Sequence, residues 1–292
     1  MTIVVGFSAS RQSQAPLNLA VQMAAASGHS IVAVAVVEDS GARAGDPFQK
    51  EFIGHLTERT ETALRKVLDG MPGGAQVPAV VTPGPSTATG LLQVAADHDA
   101  DAVVVGSSSS GLMGRLALGG VAARIVPPAR LPVAIAPRGY KLDPGRITRV
   151  TAGYGGAADE SGLIPAAAVL TRKWSLPLRV VSFTVRPMAA FGASATPKSE
   201  QEMVDRWVEQ TEKAVTAELA EVRTRIDVPD VEVVVGTGPD WSTAMDSVPW
   251  RPGEILALGS GAAGIVSQVF PGAAANRILR NSPVPVMLMP KA

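Results

Sequence analysis

A glycine- and serine-rich segment in the first half of the chain has the residue types that bind an anion. Glycines let a backbone approach a phosphate closely, serine hydroxyls add hydrogen-bond donors, and the helix predicted to start near Gly119 directs N–H groups outward. Such runs are more often plain connections, so the pattern alone is a weak signal. The candidate ligand-contacting residues of this loop are Gly106, Ser107, Ser108, Ser109, Gly111, Gly119, Gly120 and Val121.

Alternating strand and helix patterns position this loop. Amphipathic helices are predicted from about residue 14 to 27, from Asp46-Pro47 to Gly70, and from Ser86 to Ala96. This alternation indicates βα units that build a parallel sheet, whose ligands lie beyond the carboxyl ends of the strands. The predicted strands of the first half are Ile3–Gly6, Ile31–Val37, Val77–Val81, Ala102–Gly106 and Leu131–Ala136.

The same order of elements restarts at Ile147, so the chain contains an internal duplication. One offset places Val104-Val-Gly-Ser107 beside Ala257-Leu-Gly-Ser260 and also aligns glycine, arginine and proline positions further along. We therefore predict two domains, residues 1–140 and 146–292, with a boundary near residue 142 in a charged linker that contains proline and glycine. The further aligned pairs are Gly119 with Gly272, Arg124 with Arg277, Pro132 with Pro285, and Pro137 with Pro290.

The second half has a more apolar loop at the corresponding place. Between Gly259 and Gly272 it carries alanine and bulky apolar residues where the first loop has hydroxyls. We interpret it as a weaker, degenerate site. Its candidate residues are Gly155, Gly259, Ser260, Gly272 and Ala273.

Composition removes several classes of function. Lys plus Arg and Asp plus Glu both number 26, so no net field attracts nucleic acid or an anionic membrane. The chain has no cysteine, which excludes disulfides, thiolate metal sites and cysteine nucleophiles. No apolar run reaches about 18 residues and no basic leader precedes the first strand, so a cytoplasmic location is expected.

No arrangement for catalysis is evident among the remaining polar residues. His98 lies among three aspartates, but consecutive residues at a helix end do not face one point, so a solvated turn is favoured over a metal site. No catalytic triad is visible. Trp207 is interpreted as a core or interface residue, and Trp241 and Trp250 as marks of a contact surface.

Two stretches carry a resemblance to a known family. The opening Ile3-Val-Val-Gly-Phe, and Val103-Val-Val-Gly-Ser through Leu131-Pro-Val-Ala-Ile-Ala-Pro-Arg, resemble the universal stress proteins, and the resemblance covers both halves. It implies two tandem doubly wound α/β domains. Each would have a five-stranded parallel sheet of the flavodoxin-like, adenine nucleotide alpha hydrolase-like type, in the order 3-2-1-4-5.

The resemblance also implies where a nucleotide would bind and what is missing. Nucleotide-binding members have a loop of Gly, two residues, Gly, nine residues, Gly, then Ser or Thr, and each half here keeps only the outer glycines. Their Asp after the first strand corresponds to Ser8 and Gly155, which carry no carboxylate. Val36 matches the apolar position that contacts adenine, whereas Thr184 falls there in the second half.

In the family the last strands pair with each other, which implies intramolecular pairing through 131–136 and 284–289. A bare apolar edge would aggregate, so such a partner is expected, and a homodimer of two chains is plausible. Two function classes remain open: a stress-response regulator that binds ATP or a related adenine nucleotide, with Mg²⁺ accompanying it, in the N-terminal domain, or a nucleotide-free scaffold that acts through protein contacts. An enzyme such as a slow ATP hydrolase ranks third.

Overall fold

The structure of the chain is a computed structural model with two compact units, Met1–Arg146 and Ile147–Ala292. Residues 197–200 and 273–275 are described by their backbone only. The structure describes residues 1–10, 13–39, 41, 46–108, 116, 119–143, 145–155, 162–185, 197–228, 231–259 and 273–290.

The first unit alternates strands and helices along its whole length. Its strands are β1 (Thr2–Phe7), β2 (Ser30–Glu38), β3 (Ala79–Gly84), β4 (Ala100–Gly106) and β5 (Val133–Ala136). Its helices are α1 (Ala15–Ser27), α2 (Pro47–Asp69), α3 (Thr87–Asp97) and α4 (Gly120–Ile125).

Local capping chemistry sets the helix ends that the sequence predicts. The Asp46 carboxylate accepts a hydrogen bond from the Phe48 N–H at 3.0 Å at the start of α2, and Pro47 takes the first helical position. Ser86 caps α3 by accepting the Thr89 N–H at 3.2 Å. Gly28 ends α1 at φ 70°, a left-handed conformation that glycine adopts without steric cost.

The first sheet is parallel, with the strand order β3-β2-β1-β4-β5. This order confirms the predicted fold class. The register places Phe7 beside Ala35, and Gly106 beside Ala136, so the carboxyl ends of neighbouring strands form one edge. The loops that follow β1, β2, β4 and β5 therefore emerge together.

Several predicted strand boundaries were wrong by one to three residues, as the third and fifth strands illustrate. The third strand begins at Ala79 rather than Val77, and it continues through Pro83 to Gly84 rather than ending at Val81. Proline is tolerated there because β3 lies at the end of the sheet order of this unit, where one side of the strand needs no ladder hydrogen bonds. The fifth strand begins at Val133 rather than Leu131.

The segment that follows β5 is fixed to α1. The Asn18 side-chain amide donates to the Tyr140 carbonyl at 2.9 Å, and the Gln22 amide donates to the Lys141 carbonyl at 3.3 Å. The Tyr140 hydroxyl donates to the Gln22 side chain, and burial raises the pKa of Tyr140 to about 12. These contacts attach the start of the linker to the first unit.

The second unit repeats the architecture. Its strand order is β10-β9-β6-β7-β8, which is the same winding as in the first unit. Its strands are β6 (Arg149–Gly153), β7 (Leu178–Val185), β8 (Glu232–Gly238), β9 (Glu254–Gly259) and β10 (Val286–Met289). Its helices are α5 (Leu163–Trp174), α6 (Pro197–Arg223), α7 (Trp241–Asp246) and α8 (Ala273–Asn281).

A buried cluster of charges lies at the amino ends of strands in the second unit, and sequence reasoning missed it. The Glu254 carboxylate, whose side chain is fully buried, accepts hydrogen bonds from Arg149 Nη2 at 2.9 Å and Arg179 Nη2 at 2.5 Å. It also accepts the Arg251 backbone N–H at 2.9 Å and the Thr151 hydroxyl. Two guanidinium groups therefore share one buried carboxylate, and Arg149 also pairs with the carboxylate of Glu232 at 3.0 Å.

The tryptophans of the second unit have distinct environments. Trp250 contacts Arg179, whose guanidinium carbon lies 5.1 Å from the ring centroid, and it donates from Nε1 to the Met245 carbonyl at 2.8 Å. It thus covers the charge cluster, a role that its interpretation as a contact surface did not include. Trp207 is 37% exposed on α6, so the core interpretation was wrong, while a role at an interface stays a prediction.

No helix in the described part of the chain is long and apolar enough to cross a membrane.

Candidate functional site

A cleft of about 840 Å³ opens at the carboxyl edge of the first sheet. It is bounded by the ends of β1, β2 and β4, by the start of α4 and by α2, which contributes Leu56 and Thr60. A doubly wound sheet binds its ligands at this place, because the strand order reverses between β1 and β4. The polar and charged lining residues are Ser8, Ser10, Ser13, Glu38, Thr60, Thr87, Ser107, Ser108 and Arg138.

The cleft brings together residues that are far apart in the sequence. Of the ten residues predicted for this site, Ser109 and Gly111 lie outside the described residues. The predicted site residues that line the cleft are Ser8, Val36, Gly106, Ser107, Ser108, Gly119, Gly120 and Val121.

The two ends of the glycine- and serine-rich loop approach each other. The Ser107 N–H donates to the Ala136 carbonyl at 2.9 Å, which extends the β4–β5 ladder by one bond. A Cβ on Gly119 would lie 3.5 Å from the Ser108 nitrogen, an ordinary van der Waals contact. The loop therefore leaves β4 and returns to its own starting point before α4 begins.

The helix at the end of this loop starts at Gly120 as expected, but it is only six residues long. A dipole of so few peptide units attracts an anion weakly. The side of Gly120 where a Cβ would project is open, with nothing within 4 Å. The start of α4 thus offers an anion open space beside Gly120, but only a weak attraction from the helix dipole.

Val36 is held in the cleft by close packing against α3. A Cβ on Gly90 would lie 2.7 and 2.8 Å from the two γ-carbons of Val36, which is closer than non-bonded carbon atoms approach each other. The absence of a side chain at Gly90 therefore sets the position of Val36. β-Branched side chains have stiff χ1 angles, so Val36 has little freedom to yield.

Replacing Gly90 with alanine is expected to push Val36 toward the cleft and to weaken ligand binding about tenfold, the equivalent of about 1.4 kcal/mol. Gly90 lies in α3 with a helical backbone, so the alanine itself favours the helix. Titration of the variant and the wild-type chain with ATP, the expected ligand, compares their affinities, and thermal unfolding shows whether the variant folds. The contradicting result is unchanged affinity in a variant that folds normally.

The cleft is also lined by the carboxylate of Glu38, a residue that the sequence analysis did not identify. Ser8, where binding members of the family have Asp, is exposed and its hydroxyl lies 3.1 Å from that of Ser10. Glu38, the last residue of β2, lines the same cleft, and its Oε1 accepts the Thr87 N–H at 3.0 Å and the Thr87 hydroxyl at 2.8 Å. These bonds, with a smaller contribution from Arg124, lower the pKa of Glu38 below its ordinary value, so the group is ionised at neutral pH.

The predicted residues of the second site are described only in part. Gly155 follows β6 and is exposed, Gly259 ends β9, and Ala273 begins α8. Thr184 is buried in β7. Ser260 and Gly272 lie outside the described residues.

The winding of both sheets and the cleft at the carboxyl edge of the first define a tandem α/β protein of the flavodoxin-like class. The family model described as the universal stress protein family matches residues 1–137 and 149–290. The chain therefore belongs to the universal stress protein family, with two repeats of its domain.

One relative supports the family assignment over its full length, and two solved structures support the fold. A universal stress protein of Mycobacterium tuberculosis is 31% identical over 299 residues, covering 99% of this chain and 100% of the relative. A crystal structure of a universal stress protein from Archaeoglobus fulgidus covers 100% of this chain and 98% of its own, with a TM-score of 0.58 and 16% identity. A protein of Pseudomonas aeruginosa, described as functionally unknown, matches with a TM-score of 0.55 and 13% identity, covering 99% of this chain and 92% of its own.

Proposed function

We propose that this chain is a stress-response regulator that binds ATP or a related adenine nucleotide in its first unit. The observation that carries the proposal is the cleft at the carboxyl edge of the first sheet. It collects eight of the ten residues that the sequence predicts for this site, from four separate segments of the chain. Its volume of about 840 Å³ is within the range of pockets for small molecules and cofactors.

The lining of the cleft suits the parts of a nucleotide. Val36 and Leu56 offer apolar surface to a base. Gly106, Ser107 and Ser108 border the space in front of Gly119 and Gly120, where small residues leave room for a phosphate. Mg²⁺ in such a complex would be held mainly by the phosphate oxygens, because Glu38 is the acidic residue among the described lining residues and it already accepts two bonds from Thr87.

The proposal is for binding and signalling rather than turnover, in the cytoplasm. A phosphohydrolase needs a base that can activate water next to the phosphate. The described lining residues of the cleft include no histidine, and the carboxylate among them, Glu38, lies at the end of β2 rather than beside the loop that follows β4. The nucleotide-free scaffold is the alternative, favoured by the serine that replaces the family's Asp at position 8. The proposal includes the expected pairing of the last strands, 131–136 and 284–289. It assigns a degenerate nucleotide site to the second unit.

Restoring family residues in the first unit is expected to tighten ATP binding about tenfold. Ser8→Asp adds an acceptor at an exposed position, and Gly120→Ser adds a donor where nothing lies within 4 Å. The combined variant and the wild-type chain would be compared by calorimetry with ATP and by mass spectrometry of nucleotide that co-purifies. Equal affinity, with no nucleotide retained by either protein, would favour the scaffold.

A further inference from the structure

The feature that the family resemblance leaves unexplained is a carboxylate at the end of the second strand instead of the first. Phe7 lies beside Ala35 in the sheet, so Ser8 emerges level with Val36, and Glu38 lies two residues further along β2. Residues two apart in a strand project to the same face. Val36 and Glu38 therefore project together, and both meet α3, at Gly90 and Thr87 respectively.

Thr87 fixes one oxygen of this carboxylate. Its N–H and its hydroxyl both donate to Oε1 of Glu38, at 3.0 and 2.8 Å, so the side chain is held in one orientation at the start of α3. A carboxylate has about four lone-pair sites, and Oε2 is not used by these two bonds. Glu38 can therefore accept further donors from a ligand without first being reoriented.

The charged residues of the cleft are placed so that they complement the parts of a nucleotide. Glu38 ends β2, whereas the glycine- and serine-rich loop follows β4, and Arg138 follows β5. Adjacent strands lie about 4.8 Å apart, and β1 separates β2 from β4, so roughly 10 Å separates the two strand ends. The acidic group is thus kept away from the phosphate region, at a distance that a ribose can occupy.

We propose that Glu38 accepts hydrogen bonds from the ribose 2′- and 3′-hydroxyls of the bound nucleotide, with Thr87 as its positioning residue. This inference rests on the proposed function. Hydroxyl groups are donors for which an oriented carboxylate is a good acceptor, and dinucleotide-binding α/β sheets use an acidic residue in this way. Glu38 thereby supplies the carboxylate that is absent at Ser8 and selects ribonucleotides over deoxyribonucleotides.

The test compares ATP with 2′-deoxyATP on the full chain by calorimetry. The wild-type protein is expected to bind ATP about tenfold more tightly than 2′-deoxyATP. Glu38→Gln is expected to weaken ATP binding by a similar factor and to bring the ratio of the two affinities close to one. Thr87→Val keeps the N–H donor but loses the hydroxyl, so it should reduce the ratio without abolishing it.

The matched control is Glu61→Gln, which removes a carboxylate from an exposed position on α2 that does not line the cleft. It should leave both affinities unchanged. ATP binding that is indifferent to Glu38→Gln, or equal binding of both nucleotides by the wild-type chain, overturns the role of Glu38 and leaves the proposed function standing. Absence of any ATP binding overturns both.

Discussion

Glu254→Gln is expected to lower the free energy of unfolding of the second unit by about 3–5 kcal/mol. The substitution keeps the shape of the side chain but removes the negative charge that Arg149 and Arg179 share, at 2.9 and 2.5 Å. Arg179 is fully buried and cannot recover the loss from water. Burial lowers the pKa of Arg179, and the negative charge of Glu254 opposes this shift.

The measurement uses a convenient property of the chain. All four tryptophans, Trp174, Trp207, Trp241 and Trp250, belong to the second unit, so denaturant unfolding followed by tryptophan fluorescence reports on that unit. Glu232→Gln is the control, because Glu232 bonds Arg149 at 3.0 Å but its side chain is 49% exposed. Its loss should cost less than about 1 kcal/mol. Equal unfolding midpoints for the two variants would show that the buried cluster does not support the fold.

Gly119→Val is expected to remove measurable ATP binding while the first unit stays folded. Gly119 has φ −76° and ψ 159°, an extended conformation that valine adopts readily. Its Cβ would fit 3.5 Å from the Ser108 nitrogen, but the two added methyl groups would fill space between the loop and the start of α4. Calorimetry with ATP and circular dichroism melting curves measure the two effects separately.

Gly119→Ala is the matched control, since its single methyl group makes only an ordinary contact with Ser108. It should keep most of the affinity. The corresponding substitution in the second half, Gly272→Val, should leave ATP binding unchanged. If Gly119→Val binds ATP as the wild type does, the loop does not contact the nucleotide.

The fold was predictable because local and long-range signals agree. Asp46-Pro47 and Ser86 mark helix starts through hydrogen bonds to nearby N–H groups, and Gly28 marks a helix end through its left-handed conformation. The apolar strands and their repetition at one offset then indicate two doubly wound sheets. The strand with Pro83 was cut short in the prediction because the sequence does not show which strand lies at the end of the sheet.

The place of the candidate cleft was predictable where it depends on backbone position and not where it depends on side-chain geometry. The position of the loop from Gly106 follows from strand order, and Val36 was identified by the family resemblance, whereas the approach of Glu38 to Thr87 joins residues 49 positions apart. The charge cluster of the second unit escaped notice because Arg179 and Glu254 read as polar residues at the ends of strands. A charged residue at the start of a buried strand is the signal that would have identified it.

Nucleotide binding in the first unit is tested most directly by a calorimetric titration of the full chain with ATP. We expect one ATP per chain, with binding that survives Gly272→Val and is lost in Gly119→Val. This pattern would assign the nucleotide to the cleft of the first unit. No heat of binding at any accessible concentration, or binding lost only when Gly272 is changed, would contradict nucleotide binding in the first unit.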